Sequence, residues 1–200
     1  MANVSAPFGF SPDGTVGGST PNFRISRRMI ASTNATAIFC GDAVVPVTGS
    51  VTGYIAQATA STTALAGIFW GCKYLSVSQG RQVWSRYWPG SDANGDVTAY
   101  VIDSPDAEFT VQAGATAIGL TSLNLNVQLA VGTGSTLSGQ SGMFIQNPAN
   151  TATLPFTITG FVQDPPGANG TDATSTGNWV VVGFNNEIMR SNGAGPTGIS

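Results

Sequence analysis

A chain of 200 residues can bury one large all-β core or two small ones. Its 7 Lys+Arg and 10 Asp+Glu leave a net charge of −3, with 8% charged and 42% hydrophobic residues; that balance excludes a disordered tail and defends the surface poorly against association. The absence of histidine removes Ser-His-Asp and Cys-His catalysis, His-ligated zinc and the commonest general base near neutral pH.

Residues 1–28 break at Gly or Pro every few positions (SAPFGFSPDGTVGGSTPNF), the pattern of an extended arm or an ordered loop. Burial of Phe8, Phe10 and Phe23 is worth roughly 1.5–3 kcal/mol each. The arm is therefore expected to lie on its own domain, a sister subunit or a larger surface. Arg24, Arg27 and Arg28 cluster where the arm meets the body. These six residues form the candidate partner-binding set, and removing residues 2–23 is expected to leave the body folded.

Residues 29–190 are expected to form one β domain. TAIFCGDAVVPVTG reads as a strand with a turn at Gly41-Asp42 and a proline that prefers an edge, paired with GYIAQATA across the VTGSVTG link. Residues 63–112 carry three runs rich in aromatic and β-branched side chains, separated by polar, Gly-bearing turns, and predict an antiparallel meander. Trp70, Trp84, Trp88, Tyr74, Tyr87 and Tyr100 fall there, which marks this sheet as the expected core. The bulky residues recur with a period near two, and that means strand. TLPFTITGFVQDPP alternates, with Phe156, Ile158 and Gly160 on one face and Thr157, Thr159 and Phe161 on the other. NWVVVGF is rich enough in Val to be expected buried on both faces. A tail, residues 191–200, is expected to fray unless a neighbour holds it. No stretch matches an amphipathic helix, so the reading is all-β, an antiparallel barrel or sandwich.

Candidate chemistry is thin. Two cysteines, Cys40 and Cys72, make no disulfide framework and no closed zinc site; both sit in apolar runs and read as buried free thiols. Gly132-Thr133-Gly134 is followed by no GK[ST], so a phosphate loop is rejected. Asp92, Asn94, Asp96 and Asp103 partly match a calcium loop, but its sixth position is Val97, and an Asn-Gly turn at Asn94-Gly95 explains the same residues more simply. Asp103, Asp106 and Glu108 could supply a carboxylate pair, although a turn needs the same Asp, Ser and Pro residues. Arg81, Trp84, Arg86, Tyr87 and Trp88 mix cations with aromatics as single-strand platforms do. The chain is nonetheless acidic, with a pI of about 4.5, so an aromatic core with arginines at its edge is favoured and stacking on sugars is kept as a lesser reading. No catalytic residue, cofactor or metal site is expected. MANVSAPFGF lacks the pattern of a secretory signal, and the three Asn-x-Ser/Thr sequons at Asn3, Asn34 and Asn169 are read as chance matches. The longest apolar run, residues 64–72, falls far short of the about 20 residues a membrane helix needs.

The segments ANVSAPFGFSP, GIFWGCKY, YWPG, AYVIDSPDAEFTVQ, GTGSTLSGQSGMFI, TATLPFTITGFVQDP and VVVGFNNEIMRS, in this order, resemble a family of tailed-bacteriophage virion proteins that decorate or cement the capsid. The resemblance covers most of the chain and rests on core and turn residues, with DSPD where the family often has paired Asp before Pro. It implies a β-tulip-like protein with an extended N-terminal arm, without enzymatic activity, bound to the exterior of the capsid. The partners it implies are the major capsid protein and copies of itself, with no nucleic acid and no membrane; low charge and abundant apolar content make a homotrimer the expected form, before a dimer. Assembly is expected in the host bacterial cytoplasm, where Cys40 and Cys72 would stay reduced. The alternative from another class is a carbohydrate- or receptor-binding adhesin that uses the region of Trp84 and Trp88.

Overall fold

Aromatic and β-branched residues at alternate positions suit a pleated, half-buried surface, and they set the strands. A computed structural model of the chain describes residues 2–16, 18, 23–49, 53–162 and 168–188. Fourteen strands and one 3-10 turn, Leu120–Ser122, occur among the described residues. One antiparallel sheet has the order β1 (Ser11–Thr15), β10 (Ala107–Gln112), β14 (Trp179–Phe184), β13 (Phe156–Phe161), β11 (Asn126–Ala130), β12 (Phe144–Ala149). The second has the order β2 (Ile25–Ile30), β9 (Val97–Ile102), β6 (Gly67–Leu75), β4 (Ala43–Pro46), β5 (Ile55–Gln57), with β7 (Gln82–Ser85) beside the far half of β6. A short ribbon pairs β3 (Ile38–Phe39) with β8 (Tyr87–Trp88). The fold is all-β, and its antiparallel sheets pack as a sandwich.

Two cores result. Ala107, Phe109 and Val111 of β10, Val180 and Val182 of β14 and Phe156 and Ile158 of β13 point inward from the first sheet, where Ala43, Ile68 and Ile102 of the second meet them. On the opposite face of the second sheet, Val97, Ala99 and Val101 join Phe69, Cys72 and Tyr74 under Ile38 and Trp88 of the ribbon. The second sheet is thus covered on one face by the ribbon and at one end of the other face by the first sheet. Among the described residues, nothing covers the rest of that other face.

Several expectations are corrected. The meander over residues 63–112 forms only in part: β7 and β9 flank β6 on opposite edges, β8 leaves to pair β3, and β10 belongs to the other sheet. The DSPD corner, residues 103–106, therefore crosses between sheets. β14 is buried on one face, with Trp179 and Val181 only half-buried, because its sheet is antiparallel and covered on one side. A bulge between Ile158 and Gly160 turns Phe161 back to pack on the core, so the expected alternation in β13 stops there. Pro46 sits in an interior strand, but past the β4–β6 pairing, which ends at Val44. Its missing N–H breaks no ladder with β6.

The described residues of the N-terminal segment lie on the chain's own domain, the first of the three surfaces expected for them. β1 adds to the edge of the first sheet against β10. Ahead of it, the Phe10 N–H donates to the Gly41 carbonyl at 2.9 Å, the Gly9 N–H to the Met143 carbonyl at 3.1 Å and the Ala6 N–H to Gln112 Oε1 at 2.9 Å. Gly9 has φ +75°, and a Cβ there would collide with Ser141, so only glycine fits this entry point. The tail expected at residues 191–200 lies outside the described residues.

Candidate functional site

Among the described residues, the face of the second sheet away from the ribbon carries a surface where large side chains converge without closing a core. Alternation places Ile25, Arg27 and Met29 of β2, Thr98 and Tyr100 of β9 and Lys73 and Trp84 across β6 and β7 on that face. Trp70 joins them because the β6–β9 register shifts between Phe69 and Gly71. Without that bulge, Trp70 and Tyr74 would share a face, as their spacing predicts; Tyr74 is instead buried against Trp88, with ring centroids 5.2 Å apart.

Gly71 lies opposite Tyr100, where a Cβ would press on the Ser85 carbonyl at 3.1 Å, and Trp84 and Tyr100 stack with ring centroids 5.3 Å apart and planes inclined by 15°. The Lys73 ammonium lies 5.2 Å from the Trp84 ring centroid, a cation–π contact. Together with Trp70 and Ile25 the stack walls a groove of about 410 Å³. Trp84 is 65% exposed, Ile25 49% and Trp70 40%. Ser85 and Arg86 also line it, but Ser85 Oγ accepts from the Tyr87 N–H and Arg86 reaches away to Cys40 and Gln140. Such a groove can take an apolar or flat group beside the Lys73 ammonium.

The mixed cluster read from the sequence is divided by the fold. Trp88 is wholly buried and donates its indole N–H to the Asn34 carbonyl at 3.2 Å. Tyr87 stacks on Phe39, and Arg86 reaches Cys40 Sγ at 3.6 Å and Gln140 Oε1 at 3.3 Å. Only Trp84 of the five lines the groove beside Arg86. Sequence reasoning missed Ile25, Trp70 and Tyr100 as its companions; the Trp-Gly step within the β6 run was the signal for a bulge.

The six candidate partner-binding residues are mostly engaged within the chain. Phe10 is fully buried, stacked on Phe156 at 4.4 Å between centroids; Phe8 meets Trp179 edge-on at 5.2 Å, and Phe23 lies over Phe109 at 6.3 Å. Their burial does come from elsewhere, and the chain's own sandwich supplies it. Arg24 Nε and Nη2 donate to Asp103 at 3.0 and 3.1 Å, and Arg28 Nη2 donates to Asp103 Oδ2 at 3.2 Å. Ser26 Oγ closes the set at 2.5 Å. Arg27 alone of the three turns to the open face, opposite Tyr100.

Four of the acidic groups are committed within the fold. Asp103 is fully buried among those donors, so it neither pairs with Glu108 nor faces Asp92. Ser76 Oγ and the Ser78 N–H hold the Asp92 carboxyl below its usual range, and Asp96 accepts from the Tyr54 hydroxyl at 2.7 Å. The partial calcium pattern is therefore split three ways. Asp42 is buried; burial raises its pKa against the opposing pull of the Phe39 N–H, Ser141 Oγ and Gln57 Nε2, which donate at 2.8, 2.6 and 2.7 Å. Cys40 and Cys72 are buried free thiols, and burial pushes Cys72 up to about 12. No helix among the described residues is long and apolar enough to cross a membrane. No family model and no curated protein matches the chain.

Proposed function

We propose that this chain is a structural virion protein that binds the outer surface of a tailed-phage capsid and cements neighbouring capsomers. Its partners would be the major capsid protein and further copies of itself, as a homotrimer or a dimer. The observation that carries this reading is that large apolar side chains stay exposed in separate places on a scarcely charged protein. Ile25, Met29, Trp70 and Trp84 do so on the second sheet, and Leu120 and Leu123 on the turn leading to β11 of the first. A lattice component is touched from more than one side, and apolar patches away from a core mark contact surfaces. The phage resemblance of the segments quoted above points the same way. The buried carboxylates serve structure, so the chain is read as having no enzymatic activity, cofactor or metal, and as binding neither nucleic acid nor membrane. Assembly would take place in the host bacterial cytoplasm.

The test uses capsid shells from particles lacking this chain. Purified protein should co-sediment with them saturably and raise the temperature at which they disrupt. Shells that take up none of it, or take it up with no gain in heat resistance, would refute the cementing role.

A glycan-binding adhesin is the second reading, favoured by the exposed Trp84 stacked on Tyr100. The groove's few polar side chains count against it, since sugar recognition needs hydrogen-bonding groups around the stacking ring.

A further inference from the structure

Three Asn-Gly steps occur in the sequence, at 94–95, 169–170 and 192–193, and the last lies outside the described residues. Such a step is chemically poised, because glycine has no Cβ to keep its main-chain nitrogen away from the preceding carboxamide, and asparagine is thermolabile. The sequence treats the first two steps alike; the fold does not. Asn169 is held at both groups that the reaction needs. Its Oδ1 accepts from the Val4 N–H at 2.6 Å, and the Gly170 N–H donates to Asn3 Oδ1 at 2.9 Å. The Trp179 indole packs so closely on Gly170 that a Cβ there would collide with it. Asn94 is the opposite case. Asn94 and Gly95 are exposed, and neither the Asn94 carboxamide nor the Gly95 N–H has a hydrogen-bond partner among the described residues. Gly95 has φ +86°, with no other atom within 4 Å of where its Cβ would be. Asn94 also lines an open cleft of about 280 Å³, ample for water.

We propose that Asn94 is a modification site, where the Gly95 nitrogen closes on the side-chain carboxamide and converts the residue to aspartate and isoaspartate. The Gly95 nitrogen gives its proton to solvent and bonds Asn94 Cγ; the Cγ–Nδ2 bond breaks, and the amide nitrogen leaves as ammonia. Water then opens the resulting cyclic imide. Opening at Cγ gives aspartate, whereas opening at the Asn94 main-chain carbonyl routes the chain through Cγ and gives isoaspartate. The balance is one water consumed and one ammonia released, with no change of oxidation state. The product alters a defined piece of surface. A carboxylate arises between Asp92 and Asp96 and adds one negative charge to a net −3. It stands beside Leu75 and Val77, which line the same cleft and are 44% and 64% exposed. Both flanks of the turn are pinned: the Asn94 N–H donates to the Leu75 carbonyl at 2.9 Å, and Asp96 accepts from the Tyr54 hydroxyl at 2.7 Å. The methylene that isoaspartate adds to the main chain is therefore taken up within the turn, and the edge of an apolar cleft becomes anionic as the protein ages. This chemistry is independent of the cementing role and stands or falls without it.

The experiment incubates the purified, folded full chain at mildly alkaline pH and follows Asn94 and Asn169 by peptide mapping and isoaspartate-specific enzymatic methylation. Asn94 should gain the mass difference between a carboxyl and a carboxamide and become a methyl acceptor. It should convert at least about tenfold faster than Asn169, whose two hydrogen bonds must open first. In urea that protection is lost, and the two rates should converge. Asn94→Gln, whose longer side chain closes the ring reluctantly, should leave the position unmethylated with circular dichroism unchanged. An Asn94 that keeps its amide, equal rates at the two sites in the folded protein, or the same ratio in urea as in buffer would overturn the proposal.

Discussion

Asp42 is the side chain on which the two sheets and the N-terminal entry converge. It accepts from Phe39 beside the ribbon, from Gln57 at the end of β5 and from Ser141, whose Oγ in turn accepts from the Met143 N–H. Removing the acceptor strands several buried donors. Asp42→Ala is expected to cost about 3 kcal/mol of stability in urea unfolding. Because burial raises its folded pKa, Asp42 contributes most below the ordinary carboxylate value and loses that contribution as pH rises through the raised folded value. Asp92 and Asp172, lowered by hydrogen bonds, act in the opposite sense: their contribution holds above the ordinary value and fades as pH falls. Comparison with Asp42→Asn isolates the first effect, since wild type should gain on that variant as pH falls from 7 towards 4. A difference independent of pH would contradict the assignment. The two thiols give a second check: both should remain unreacted with iodoacetamide at pH 8 until the protein unfolds, as the raised pKa values and burial require. Their burial was legible from the apolar runs around them. The role of Asp103 was not, because its partners Arg24 and Arg28 lie 79 and 75 residues away and only the fold brings them together.

Among the elements, β1 and the residues before it select one of the three surfaces expected for the N-terminal segment. Three Phe in a segment broken by Gly and Pro did require an external apolar surface, but nothing in the local sequence says whose surface that is. The buried Phe10, stacked on Phe156, answers that it is the chain's own. Phe10→Ala is therefore expected to destabilise by about 3–5 kcal/mol. Deleting residues 2–15 removes that anchor and an edge strand, and should unfold the body or greatly lower its melting temperature. A truncated protein with unchanged circular dichroism and melting point would restore the detachable arm. The bulges teach a related lesson. Periodicity identified β6 and β13 as strands, yet one extra residue in each moves Trp70 to the open face and Phe161 to the core side. Side-chain facing is lost wherever parity slips, and β2, which supplies Ile25, was read as part of the arm, so the groove was invisible although β6 was legible.

At the scale of the whole molecule, the all-β class followed from alternation, turn residues and the lack of any helical period, and the sandwich satisfies it. Which strands share a sheet depends on pairings far apart in sequence, such as β1 with β10 and β10 with β14, and no local pattern encodes them. The proposed function rests on the same global features: scarce charge and apolar side chains left outside the two cores. The central claim is attachment to a capsid exterior. The direct measurement is a cryo-EM difference map between particles with and without this chain. The account predicts ordered density the size of this 20.4 kDa chain or its pair, repeated at symmetry-related positions on the outer surface of the shell. Difference density confined to tail or fibre tips, or none on the shell, would contradict it.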